Sequence, residues 1–386
     1  MNECGCNAIL VFEVNLAKLA IMNKSASQTA MGWDGLAEVV SPRGVLLESI
    51  LVNNGPRQEL PGFEPCYRDF VDYILRCTHR IWEERDIGLC RTHYAQDVVM
   101  HTLAGPSRGA EAVVQSTIGA LAASSDRKVI GEDVIWSHDP DGRLYSSHRL
   151  TSQMTHMGDD PMLGPATFLP IGATTIADCA VIENRIVEEW LVRDNGRAVL
   201  QVDQSPWIVA QAQAAADCEG DQQRHAWRAA EIAAIRGGGD VAVAGGHPAA
   251  RVIAMLRLAF AEDMMGEAAL GLANSVELRW PSGRIGVGRG YWIGCVTQLR
   301  AMLHDCAFAA QHAAARPNPD GSIALAIRWS LAGHHRGLGP WGPPSGRELL
   351  IMAVSHYRIE QGLISEDVTV FDELAVLRQV AGGLGA

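Results

Sequence analysis

Residues 362–379 read GLISEDVTVFDELAVLRQ, and residues 184–201 read NRIVEEWLVRDNGRAVLQ. In both, an alternating strand pattern runs into an aspartate and is followed by a short tail that closes on Gln. Side chains along a strand alternate between faces. Ile186, Trp190 and Val192 therefore share a face with Asp194, and Ile364, Val368 and Val370 share one with Asp372. A carboxylate closing an apolar face is costly to bury unless it is paired, hydrogen-bonded or protonated. An Asp that merely ends a strand and starts a turn would look the same in a single copy. Its recurrence shifts the weight toward a shared role.

The recurrence extends along the chain. Gly109 and Gly288, Gly142 and Gly321, and His156 and His335 are each 179 residues apart, while Asp194 and Asp372, and Gln201 and Gln379, are each 178 apart. Five landmarks at one offset indicate a duplicated domain, and the period is too long for a solenoid. Within each copy helical patterns come first. Tyr67, Phe70, Val71, Ile74, Thr78, Ile81 and Trp82 follow helical spacing, as do Val252, Met255, Leu256, Ala259 and Phe260. A second helical run opens at Gly109 and at Gly288. Strands follow, with turns at Asp139-Pro140-Asp141-Gly142 and at Pro317-Asn318-Pro319-Asp320-Gly321. No element is assigned between His304 and Pro317. The order predicts an α+β fold with a curved antiparallel sheet in each copy. The expected organisation is an N-terminal extension over 1–60, a first domain over 61–206, a helical linker over 207–246 and a second domain over 247–386.

Composition narrows the function. The 386 residues are 48% apolar and 20% charged, with a net charge of −12. That balance, without any Lys/Arg run, argues against nucleic acid or an anionic membrane as partner. The nine cysteines contain no C-x-x-C pair, which fits reduced thiols rather than a disulfide framework. Glu13, Asn15 and Lys18 interrupt the apolar run near the N-terminus, so it reads as neither signal nor membrane span. A cytoplasmic location is the expectation. Metal ligation would need His and carboxylate clusters that the sequence does not display, and Gly286-Val287-Gly288-Arg289-Gly290 lacks nucleotide-loop spacing, so no metal or cofactor is expected.

On the strand before the second aspartate, Ile323, Leu325, Ile327, Trp329, Leu331, Gly333 and His335 share one face, which should look into a core or cavity. His334 faces the other way with Arg328 and Ser330, toward solvent. In the first copy Leu144, His148, Leu150 and Met154 share the face of His156. An imidazole and a carboxylate on adjacent apolar faces suit acid–base work near neutral pH. A core histidine bonded to a neighbour is the plainer alternative. Trp82, His101, His148, Trp190 and Trp329 are the candidate residues lining a substrate pocket.

The run Gly333-His334-His335-Arg336-Gly337, then Gly342-Pro343-Pro344-Ser345-Gly346-Arg347, then the strand ending at Asp372, resembles the signature of SnoaL-like polyketide cyclases. The first copy has Met154-Thr155-His156-Met157-Gly158 and then Trp190 through Asp194, but lacks the P-P-T-G-R-type turn. The resemblance covers roughly 65–202 and 247–380. It implies two tandem cone-shaped domains of the nuclear-transport-factor-2-like superfamily, each a bent sheet wrapped around a pocket. It also implies a cofactor-free aldol closure of a polyketide ester, with Asp194 and Asp372 as acid/base and His156 and His335 in support. The implied partner is a small apolar carbonyl compound. The alternatives are a non-catalytic small-molecule binder or scaffold, or isomerase, dehydratase or hydrolase chemistry on the same fold. Two copies pairing their sheets within one chain would make a pseudo-dimer that is a monomer in solution.

Overall fold

The computed structural model describes residues 57–217 and 222–382. Of the N-terminal extension expected over 1–60, residues 1–56 lie outside those described. The first domain contains α1 (Phe70–Trp82), α2 (Cys90–His93), β1 (Tyr94–His101), β2 (Ser107–Arg108), α3 (Ala110–Ala123), β3 (Lys128–His138), β4 (Leu144–Thr155), β5 (Pro170–Ile182), β6 (Arg185–Arg193) and α4 (Asn195–Gln201). Two helices follow, α5 (Pro206–Ala215) and α6 (Gln222–Arg236). The second domain contains α7 (Pro248–Phe260), α8 (Met265–Ala268), β7 (Leu272–Trp280), β8 (Arg284–Val287), α9 (Arg289–Met302), β9 (Leu303–Pro317), β10 (Ile323–His335), β11 (Glu348–Glu360), β12 (Leu363–Phe371) and α10 (Glu373–Ala381).

The two sheets have the same strand order, β2-β1-β6-β5-β4-β3 and β8-β7-β12-β11-β10-β9. The fold is α+β, with two tandem cones. Each sheet contains one parallel pairing, β1 with β6 and β7 with β12. This refines the antiparallel expectation. The first strand of each copy lies beside the last, and parallel neighbours need such a long connection. Gly109 and Gly288 hold φ of 91° and 95° immediately before α3 and α9, a conformation that disfavours any side chain. Gln201 accepts the Gly172 N–H at 2.8 Å, and Gln379 accepts the Leu350 N–H at 2.9 Å. The duplication therefore reaches single hydrogen bonds.

The helices cover one face of each sheet. Asp69 caps α1 by accepting the Asp72 N–H at 2.8 Å, and the helix turns Phe70, Tyr73, Ile74 and Ile81 inward. Phe70 meets Trp136 of β3 edge-on at 5.7 Å. In the second cone Phe260 stacks on Trp329 at 5.0 Å, with Phe308 beside both.

The opposite faces of the two sheets pack on each other, which corrects the solvent assignment of the Arg328–Ser330 face. Both residues are buried. Ile135, Ala314, Ala324 and Ala326 make a small apolar patch there, and polar contacts surround it. Arg316 donates to the Val134 carbonyl at 2.8 Å, and Arg328 donates to the Tyr145 hydroxyl at 3.0 Å. Ser147 Oγ lies 2.8 Å from His356 Nε2, and His312 Nε2 lies 3.0 Å from Asp139 Oδ2. Buried charge of this kind persists only when it is paired and bonded. No helix among the described residues is long and apolar enough to cross a membrane.

Candidate functional site

Asp194 ends β6 and caps α4. Its carboxylate accepts the Arg197 N–H at 3.2 Å, then reaches the other domain to accept Ser282 N–H at 2.7 Å and Gly283 N–H at 3.3 Å. Burial raises its pKa, against the lowering pull of those three N–H groups. Asp372 caps α10 in the same way, accepting the Ala375 N–H at 3.0 Å and Asn195 Nδ2–H at 2.6 Å. Burial pushes its pKa up to about 6. The two aspartates thus hold the helix starts of both domains together. The carboxylate bonds go to caps and to the neighbouring domain, not to the histidines.

His156 and His335 are fully buried on the cone side of the sheets. His156 Nδ1 lies 3.1 Å from Thr167 Oγ1. His335 Nδ1 accepts the Ser345 N–H at 3.2 Å, which leaves the neutral ring's proton on Nε2. Both Nε2 atoms are buried without a hydrogen-bond partner. Burial lowers the pKa of His335, so it stays neutral at physiological pH. The expected meeting of aspartate and histidine therefore does not occur in either copy. Alternation explains it: Asp194 and Asp372 continue the outer-face register of Trp190 and Val370, whereas the histidines continue the inner face.

The candidate pocket residues are dispersed as well. Trp82 lies under the Arg127 guanidinium, 4.4 Å from its ring centroid. His101 bonds Glu188 at 2.8 Å and stacks on Trp190 at 5.1 Å. The Arg328 guanidinium of the second domain also lies over the Trp190 ring, 3.4 Å from its centroid. His148 is sealed in the first cone, where burial pushes its pKa down to about 4. Trp329 fills the second cone and donates to Ser355 Oγ at 2.9 Å.

Two carboxyls were missed by the sequence reading. Asp367 is fully buried in the second cone, accepting both indole N–H groups of Trp280 (3.2 Å) and Trp292 (3.1 Å) and the Thr369 hydroxyl at 2.6 Å. Burial raises its pKa to about 6. Glu189 occupies the equivalent place in the first cone, raised by burial to about 7. The signal was present, since these two residues are also 178 apart. A small opening beside Trp280, Trp341 and Phe371 is about 10 Å³, room for about one water.

A larger opening lies between the domains. This cleft of about 290 Å³ is lined by Thr151, Thr174, Asp194 and Arg197 from the first domain and by Arg279, Arg284 and Val368 from the second. Arg279 pairs with Glu132 and Glu366, and Arg284 with Glu373. The Arg197 side chain has no hydrogen bond or ion pair with a described residue, and its Cδ lies 3.6 Å from where a Cβ on Gly283 would sit. Among the described residues no group of three or more His, Cys, Asp or Glu is arranged to hold a metal ion.

Residues 251–380 match the family model of the SnoaL-like polyketide cyclase. No curated protein matches the chain in sequence. Similar solved structures include wild-type IdmH, a putative polyketide cyclase from Streptomyces antibioticus, at 23% identity over 34% of this chain and 97% of that one, with a TM-score of 0.30. A putative SnoaL-like polyketide cyclase from Jannaschia is 16% identical over 37% of this chain and 98% of its own, with a TM-score of 0.29. AclR, a putative hydroxylase from Streptomyces galilaeus, is 20% identical over 33% and 90%, also with a TM-score of 0.29. The match to the SnoaL-like polyketide cyclase family is thus confined to the second half of the chain, and the first half repeats that half's strand order.

Proposed function

We propose that the chain binds a small carbonyl compound in the cleft between its domains and enolises it without a cofactor. Asp194 would take the proton from the carbon beside the carbonyl, and Arg197 would receive the oxygen on which charge develops. The observation that carries this reading is that Asp194, of the four candidate acid–base residues, is the one lining the cleft. Burial makes its carboxylate a better base than a solvated one. Its Oδ2 has a single long bond, 3.3 Å to Gly283 N–H, and so retains lone-pair capacity. The other cleft arginines are matched by carboxylates, which leaves Arg197 as the cation free for a ligand oxygen. Val368, Val370, Ile285 and Trp280 supply an apolar wall for the rest of the molecule.

A second reading, ligand binding without turnover, is favoured by a specific observation. Three N–H groups stabilise the Asp194 anion in its capping role, which works against proton abstraction. Deuterium uptake from heavy water at the acidic methylene of a β-keto ester panel separates the two. Uptake by wild type that Asp194→Asn abolishes supports enolisation. Quenching of indole fluorescence by a panel member without exchange selects the binder. Neither uptake nor quenching by any panel member would overturn both readings.

A further inference from the structure

A second cavity, of about 210 Å³, is walled by α10, α5, α6 and the residues leading into β11. Arg224, His225 and Arg228 reach it from α6, Arg378 from α10, and Arg347 from the end of the loop before β11. Arg224 and Arg228 are four residues apart and so share a helix face. Asp217 is the one carboxylate among the described lining residues. It accepts Arg378 Nε–H at 3.0 Å and pairs with Arg224 at 2.9 Å. That leaves two guanidiniums uncompensated by any described carboxylate. Among the described residues Arg228 bonds only His225 Nδ1, at 3.1 Å, and the Arg347 guanidinium bonds none. Both are half-buried.

Among the described residues, four guanidiniums around one carboxylate form a cationic hollow in a chain whose net charge is −12. Like charges held this close are unfavourable without an anion. A single carboxylate ligand would duplicate Asp217 and still leave excess charge. A phosphate group carries nearly two charges and three acceptor oxygens, matching the paired donors of Arg forks. We propose that this pocket is an anion site for a phosphate ester or diphosphate group, gripped between Arg228 and Arg347. It is separate from the cleft at Asp194 and stands whether or not that cleft is catalytic.

Calorimetric titration of the full chain with inorganic pyrophosphate tests this, with citrate as the polycarboxylate arm and sodium chloride controlling for ionic strength. Saturable binding of pyrophosphate is expected, weakened tenfold or more in Arg228→Gln/Arg347→Gln and unchanged in Arg251→Gln, a surface control. Unaltered thermal unfolding of the double variant would show that the loss is local. No saturable pyrophosphate binding, equal binding by the double variant, or tighter binding of citrate would each overturn the assignment.

Discussion

At the scale of single residues, each cone buries an acid, Glu189 in the first and Asp367 in the second. Asp367 has its pKa raised from an ordinary value near 4 to about 6. Between those values the folded chain binds more protons at this site than the unfolded one, so the site's contribution to stability falls as pH rises. The loss begins near pH 4, is complete above about 6, and is on the order of 3 kcal/mol. Asp367→Asn removes the titration yet keeps an acceptor for the indoles and a donor for Thr369. Its melting temperature relative to wild type should climb between pH 4 and 7 and then level off; a pH-independent difference would refute the account. His148 and His356, which burial keeps neutral, pull the opposite way but are common to both proteins. Asp367 and Glu189 were legible in the repeat offset. They do not stand out beyond that offset, because alternation singles out the apolar faces that end in Asp194 and Asp372, and burial of an acid on the other face leaves no separate trace in sequence.

At the scale of elements, the aspartates that looked catalytic are first of all helix caps, and Asp194 also ties α4 to the turn between β7 and β8. Asp194→Ala should cost about 2–3 kcal/mol in urea unfolding, one part for the cap and one for the stranded Ser282 and Gly283 N–H groups. Asp194→Asn keeps an acceptor oxygen and should cost under about 1 kcal/mol. Equal costs for both would show that the capping bonds carry no stability. The helix-then-strand order was readable from periodicity, and β9 was not. Its sequence LHDCAFAAQHAAARP is rich in alanine, which has no strand preference. Its conformation comes from pairing with β10 and from the small side chains that let the first domain's sheet approach at Ile135. The parallel β1–β6 and β7–β12 pairings were equally hidden, because no local residue pattern records which distant strand becomes a neighbour.

At the scale of the molecule, duplication has placed both halves of a pair in one chain. The face each sheet turns away from its own helices is covered by the other copy, through Arg316, Arg328, His312 and His356. A light-scattering mass of one chain follows, and a mass of two chains would contradict it. The same docking creates the cleft, since Asp194 and Arg197 come from one copy and Val368 and Arg284 from the other. Neither copy alone has that opening, and a sequence read one domain at a time could not reveal it. We propose that the working site lies in this cleft and not inside a cone. The most direct test compares deuterium uptake at the β-keto ester methylene for Arg197→Gln, which alters the cleft, and His335→Gln, which alters the second cone. At least a tenfold loss is expected for Arg197→Gln and a change within about twofold for His335→Gln, with the missing charge stabilisation setting the scale. Loss of exchange in His335→Gln with Arg197→Gln unaffected would contradict it and return the chemistry to the cone.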